Sequence, residues 1–266
     1  MRKLSALIAV ATIMAAPAFA ADLGKKPGAP VLPVMASYTW TGFYVGANAG
    51  YAFGEQRTRL GLGGQWAAEA AALQNAFRDG GGGNLRGGGF IGGVQAGYNQ
   101  QYGRVVVGGE VDINFFDIRK RTANTLNNAG GFAGLNYNFT RRVDTDWLIT
   151  IRPRVGYAFD RTLLYVTGGL AIAQVKDNWS VASSGNYLKA MSNSSVRAGF
   201  TVGAGVEHAF TRNWTAKFEY LYTDLGRASK SSVYQPGSAF VAPAYTEQVR
   251  TRFSFHTVRV GVNYKF

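Results

Sequence analysis

The sequence predicts an all-β fold, a closed antiparallel transmembrane β-barrel of about eight strands with long extracellular loops and short periplasmic turns. Three observations predict it. The chain opens on an export signal. Apolar and polar residues alternate with period two through eight segments. The connections between those segments are in turn short and long.

The leader comes first. Arg2 and Lys3 form a basic start, residues 4–14 are almost wholly apolar, and Ala18-Phe19-Ala20 supplies the small-x-small pattern of a signal-peptidase site. The apolar run is too short for a membrane-spanning helix, which takes about 20 residues. Residues 1–20 therefore read as a signal peptide cleaved before Ala21, leaving 246 of the 266 residues. Pro27, Pro30 and Pro33, with Lys25 and Lys26, make 21–38 a Pro-rich, extended periplasmic lead-in, and the barrel occupies 39–266.

Composition agrees with a sheet. The 35 glycines, 14 tyrosines and 17 phenylalanines suit twisted strands with aromatic belts, and the absence of cysteine leaves stability to a closed hydrogen-bonded ring. The formal net charge is +13, and loss of Arg2 and Lys3 leaves +11. Export argues against nucleic acid as the partner of that charge; outer-membrane lipid and anionic lipopolysaccharide are the expected partners.

Each strand has one greasy face and one polar face. In the first, Phe43, Val45, Ala47, Ala49, Tyr51 and Phe53 oppose Tyr44, Gly46, Asn48 and Gly50. The second sets Phe90, Val94, Ala96 and Tyr98 against Gln95, Gly97, Asn99 and Gln101; a turn at Tyr102-Gly103 follows. The third sets Val105, Val107, Val111, Ile113 and Phe115 against Gly108, Glu110, Asp112 and Asn114. The fourth sets Trp147, Ile149, Ile151, Val155 and Tyr157 against Thr150, Arg152, Arg154 and Gly156, and turns at Asp160-Arg161. Leu164, Val166, Leu170 and Ile172 are the apolar set of the fifth. The sixth sets Phe200, Val202, Ala204, Val206 and Phe210 against Arg197, Thr201, Gly203 and Glu207. After a turn at Arg212-Asn213, Trp214, Ala216, Phe218, Tyr220 and Tyr222 oppose Lys217 and Glu219. The last sets Val258, Val260, Val262, Tyr264 and Phe266 against Thr257, Arg259, Gly261, Asn263 and Lys265.

These registers follow from the apolar residues alone, and the charges then share the opposite face: Glu110, Asp112, Arg152, Arg154, Glu207, Lys217, Glu219 and Arg259. An Arg or Lys facing lipid costs about 2–4 kcal/mol at midplane, so the separation points to a barrel with apolar residues outside and a paired charge network in its lumen. Asp117 and Arg252 break the rule, both at outer strand ends. The belt ends in aromatics such as Phe43, Tyr98, Trp147, Tyr157, Trp214 and Phe266, as interfacial girdles require. Long polar loops are expected over 54–86, 119–142, 176–194 and 226–248, with a short amphipathic helix over 67–77. Short and long connections mark the periplasmic and extracellular ends, which puts both barrel termini in the periplasm.

Trp40-Thr41-Gly42-Phe43-Tyr44-Val45-Gly46, Arg161-Thr162-Leu163-Leu164-Tyr165-Val166-Thr167-Gly168-Gly169-Leu170 and Thr201-Val202-Gly203-Ala204-Gly205-Val206-Glu207 resemble the alphaproteobacterial "porin family" of small outer-membrane barrels. So do Glu219-Tyr220-Leu221-Tyr222-Thr223-Asp224-Leu225-Gly226 and the closing Val260-Gly261-Val262-Asn263-Tyr264-Lys265-Phe266. The barrel is similar in kind to the OmpA-like membrane anchor, and no periplasmic domain is expected after Phe266. The resemblance implies an abundant structural protein of the outer membrane, not an enzyme. It also implies a terminal assembly signal, Tyr264 and Phe266, read by the barrel-assembly machinery.

No catalytic, cofactor or metal constellation is expected. His208 and His256 sit in no ligand cluster and read as interfacial sheet residues; Asp144 and Asp146 read as a solvated strand end. The run Gly80–Gly83 reads as a loop, since no strand and helix flank it in phosphate-cradle order. The expected function is a surface barrel contributing to envelope integrity, its charged lumen largely filled, because eight strands leave room only for side chains. The alternatives are a weak general porin for small solutes, or capture of haemin or a host surface by the loops. The resemblance suggests haemin, and Tyr187, Tyr234 and Tyr245 lie in expected loops.

Overall fold

A computed structural model describes residues 38–266; the expected signal peptide (1–20) and the part of the expected lead-in before Tyr38 lie outside the described residues, as do the side chains of 117–120, Asp117 among them. The chain forms strands β1 (Gly42–Gly64), β2 (Gly83–Tyr102), β3 (Val105–Leu126), β4 (Tyr137–Phe159), β5 (Thr162–Ser183), β6 (Leu188–Ala209), β7 (Trp214–Ser231), the two-residue β8 (Val233–Tyr234) and β9 (Tyr245–Lys265). All ladders are antiparallel. Neighbours run β5-β4-β3-β2-β1-β9-β7-β6, and a β5–β6 ladder closes the ring of eight, with β8 appended to β6.

The belt registers match the sequence reading. Phe43, Val45, Tyr51, Phe53, Phe90, Val94, Val111, Phe115, Ile151, Val155, Leu164, Val166, Leu170, Phe200, Val202, Phe218, Val260 and Val262 all face outward and exposed. From Phe43 to Phe53 is ten residue steps along β1, about 33 Å of strand. At the usual tilt of 35–45° this spans about 25 Å, the height of an outer-membrane apolar band.

Above the belt the structure departs from expectation. The connections expected over 54–86, 119–142, 176–194 and 226–248 shrink to 65–82, 127–136, 184–187 and 232–244, because the strands continue into the extracellular space. There the pattern inverts: Leu60, Phe139, Val143, Val175, Trp179, Val181, Val249 and Phe253 are buried inside, while Arg57, Arg59, Arg142, Arg250 and Arg252 lie outside. In water the hydrophobic effect turns a barrel's greasy face inward; in lipid it does not. Bulges between Phe115 and Ile118, Thr145 and Leu148, and Asp224 and Arg227 help shift the registers near this boundary.

The first connection carries a 3-10 turn (Gln65–Ala68) and helix α1 (Ala71–Gly81), which begins and ends four residues after the expected 67–77. The run Gly80–Gly83 is no free loop: it ends the helix and starts β2, with Gly82 N donating to Arg78 O. A side chain on Gly81 would strike Leu60 and Phe139, so only glycine lets the helix seat this closely.

Candidate functional site in the barrel interior

The interior is layered. Nearest the periplasm, Trp40, Val106, Ala158, Leu163, Tyr165 and Ala209 form an apolar floor. Above it lie the charged residues singled out by the sequence, four acids and four bases, each buried. Glu110 and Asp112 project from β3, Arg152 and Arg154 from β4, Glu207 from β6, Lys217 and Glu219 from β7, and Arg259 from β9.

They meet across the ring. Lys217 Nζ donates to both Glu110 oxygens at 2.7 Å. Strands β3 and β7 are opposite each other in the ring of eight, four places apart in either direction, so this pair spans a diameter. Arg152 donates to Glu110 at 2.7 Å, to Asp112 at 2.8 Å and to Glu219 at 3.2 Å. Arg259 reaches Glu219 at 2.7 Å and Asp112 at 3.3 Å; Arg154 reaches Glu207 at 3.0 Å and Asn99 at 2.8 Å. Neutral donors fill remaining lone pairs: Tyr44 on Glu110 (2.9 Å), Tyr165 on Glu219 (3.0 Å), Thr150 on Asp112 (2.6 Å), and Thr215 and Asn263 on Glu207 (2.5 and 2.8 Å). Buried charges call for such pairing, since an ion out of water is costly unless paired and hydrogen-bonded; Arg152 Nε and Arg154 Nη2 are the nitrogens of the set left without a partner among the described residues. The arrangement holds strands to one another, joining β3 to β4, β7 and β9, and β4 to β6.

A second interior site lies in the extracellular half, where the sequence reading expected loops. Glu247 on β9, 0% exposed, accepts from Lys189 Nζ, Trp66 Nε1 and Ser232 Oγ, each at 2.5 Å, and from the Tyr187 hydroxyl. Lys189 also donates to Tyr245 O at 2.6 Å and lies 4.3 Å from the centre of the Tyr234 ring. Around this node pack Leu73 and Phe77 of α1, with Tyr137, Phe139, Trp179 and Met191. Trp66 and Phe77 rings lie 4.4 Å apart. Thus one carboxylate ties the first connection to β6 and β9. Between the two sites, Asp177 of β5 accepts from Thr251 of β9 at 2.9 Å and lies 3.8 Å from Arg141. Burial pushes the Asp177 carboxyl up and the Arg141 guanidinium down, outweighing their loose pairing.

Tyr187 is buried in the aromatic core and is not a loop-surface contact; Tyr245 donates to Glu69 at 2.6 Å, and that bond pushes its hydroxyl up to about 12. Tyr234 is half-buried against the same core. His208 and His256 sit on the outer face, bonded to Thr162 (2.9 Å) and Tyr220 (2.6 Å). Asp144 pairs with Arg142 (2.8 Å) and Asp146 with Lys176 (2.6 Å). Arg252 stands outside above the belt, 2.6 Å from Asp224. Tyr264 and Phe266 face outward, their rings 5.2 Å apart, with Trp214 equally close to Tyr264. The Glu247–Lys189 site was missed because its partners lie 58 residues apart and meet only on closure; the signal was inward alternation of Trp179 and Val181 with polar neighbours.

A family model described as "Outer membrane protein beta-barrel domain" matches residues 6–266. The 31 kDa outer-membrane immunogenic protein of Brucella melitensis is 37% identical over 265 residues, covering 98% of each chain. The 22 kDa outer membrane protein of Rhizobium leguminosarum is 30% identical over 239 residues, 88% of this chain and 82% of its own. Among solved structures, OprG of Pseudomonas aeruginosa covers 85% of this chain and 96% of its own, at 11% identity and a TM-score of 0.48.

Proposed function

This chain belongs to the outer-membrane protein β-barrel family, and from that premise we propose that it is a structural surface barrel contributing to envelope integrity, with a lumen sealed to solutes. One observation carries the reading: the Lys217–Glu110 pair, 2.7 Å across a barrel diameter, within a network of four acids and four bases. A pore needs a continuous water path, and any path through this level must part ion pairs at a cost of several kcal/mol each. The basic outer wall above the belt supports contact with anionic lipopolysaccharide.

Planar-bilayer recording tests the seal. The wild-type barrel is expected to give no stable current steps, whereas a barrel stripped of Glu110 and Lys217 side chains is expected to leak. Stable steps from the wild type would instead establish a porin. Envelope integrity is tested by deleting the gene and measuring detergent sensitivity; unchanged sensitivity counts against the structural role. For assembly, we propose that Tyr264 and Phe266 present the outward aromatic edge that the barrel-assembly machinery reads. Truncation before Tyr264 is expected to leave unassembled chain in the periplasm while purified protein still folds into detergent.

A further inference from the structure

The outer wall just above the belt carries arginines in an arrangement that sheets ordinarily avoid. Arg57 on β1 stands opposite Arg252 on β9, and Arg252 stands opposite Arg227 on β7. Two residues further up, Arg59 stands opposite Arg250. All five are exposed. Like charges directly opposite one another destabilise a sheet. The carboxylates recorded beside them are Glu55, 3.8 Å from Arg57 and 3.7 Å from Arg86, and Asp224, 2.6 Å from Arg252. Among the described residues, two acids beside these six guanidinium groups leave four positive charges in excess.

The row also has shape. Arg57 and Arg252 wall a groove of about 290 Å³ with Glu55, Ser254, Tyr222 and His256. Its floor is aromatic: the His256 ring lies 5.5 Å from Phe53 and 5.2 Å from Tyr222, and pairs with the Tyr220 hydroxyl. Arg57 stands four residues above Phe53 on the same face, about 13 Å along the strand. That is headgroup depth at the top of the apolar belt. A cationic head over an aromatic floor, opening sideways, matches an amphiphile with a phosphate at one end and a hydrocarbon chain at the other.

We propose that this groove binds the phosphate group of an outer-leaflet lipid. Arg57 donates to phosphate oxygens through its planar fork, Arg252 through the Nη1 left by its Nε and Nη2 bonds to Asp224, the Ser254 hydroxyl donates from below, and the acyl chain runs down over Phe53 and Tyr222. The proposal rests on the outer-membrane barrel reading, since only a membrane supplies lipid at this height. Glu55 opposes the ligand, so removing its charge strengthens binding.

The test folds the full mature chain into phosphatidylcholine vesicles holding a minor share of phosphatidic acid, a phosphomonoester probe. After gentle detergent extraction, retained lipids are counted by native mass spectrometry, with heat-dependent gel mobility reporting the fold. Wild type is expected to retain phosphatidic acid over phosphatidylcholine, and Glu55→Gln to retain more. Arg57→Gln with Arg252→Gln is expected to lower the preference by about fivefold for each arginine. Should the pair fail to fold, Arg57→Gln alone still predicts its single step. Equal preference in wild type and folded variants overturns the site. Complete displacement by inorganic phosphate overturns the lipid assignment in favour of a free anion. The sealed-lumen reading is tested by current, which these outer-wall variants leave unchanged, so the two failures are distinguishable.

Discussion

Removing the two partners of the diametric ion pair separately is expected to have unequal effects, and the inequality follows from the contacts. The Lys217 and Glu110 side chains are almost wholly buried, with both carboxylate oxygens 2.7 Å from the ammonium. At an effective dielectric near 20, their attraction is about 6 kcal/mol; breaking a buried pair from one side costs about 3–5 kcal/mol net. After Lys217→Met, Glu110 keeps Arg152 at 2.7 Å, Arg259 at 3.5 Å and Arg154 at 3.8 Å, so the loss is expected near 3 kcal/mol. After Glu110→Gln, Lys217 loses the sole carboxylate recorded within 4 Å of it among the described residues, and the loss is expected near 5 kcal/mol. The double variant should cost less than the sum of the singles, giving a coupling of roughly 2 kcal/mol or more. Urea unfolding in lipid vesicles, followed by tryptophan fluorescence and gel mobility, measures all three. A Glu110→Gln barrel as stable as Lys217→Met, or singles that simply add, would refute the reasoning, because water in the lumen would then be solvating the ammonium.

Three further predictions follow from other levels of the barrel. Glu247→Ala strands the Lys189 ammonium and frees Trp66 and Tyr187; residues 65–82 should become protease-sensitive while the belt stays resistant, as limited digestion can show. Burial raises the Asp177 carboxyl, so its folded form favours the proton: its contribution to stability is present below its ordinary value and is lost as pH rises through the elevated one. Asp177→Asn should remove that downward slope from a plot of urea midpoint against pH. Val260 faces outward opposite Ala49, near the middle of the belt; Val260→Arg should cost about 2–4 kcal/mol in bilayers, while Arg250→Leu on the same face of the same strand should change stability little.

The belt was legible because lipid allows a single solution for every strand at once. A slip of one residue in β3 would turn Glu110 and Asp112 to hydrocarbon, and the same slip in β4 would turn out Arg152 and Arg154. The extracellular strands were less legible. Their outward residues are polar like those of loops, and their inward residues include Thr58, Arg141, Asp177 and Thr251 beside the apolar ones, so no clean contrast marks either face. The helix was displaced by four residues because its end, Gly80 and Gly81, has poor intrinsic propensity, yet tertiary packing against Leu60 and Phe139 rewards glycine there. The charged set at membrane depth was visible as residues, but its pairing was not: which acid meets which base depends on ring order, and β7 pairs with β9 instead of a sequence neighbour on that side.

The two interior sites use buried charge for different ends. At membrane depth the wall is already fixed from outside, since every strand must pair or leave backbone groups unsatisfied in lipid; the charge network there joins strands that the ring has already placed, Lys217 of β7 meeting Glu110 of β3. Above the membrane that compulsion is gone. Water can satisfy an open strand edge, and on β6 the β7 ladder ends at Phe200, with only the two-residue β8 pairing it again at Lys189 and Ala190. What reinforces that half comes from within. Glu247 supplies it by reaching Lys189 on β6, Ser232 after β7 and Trp66 in the first connection from its own place on β9. A barrel that protrudes this far therefore needs an interior core of the soluble kind, and the inverted pattern of Leu60, Phe139, Trp179 and Val249 is that core.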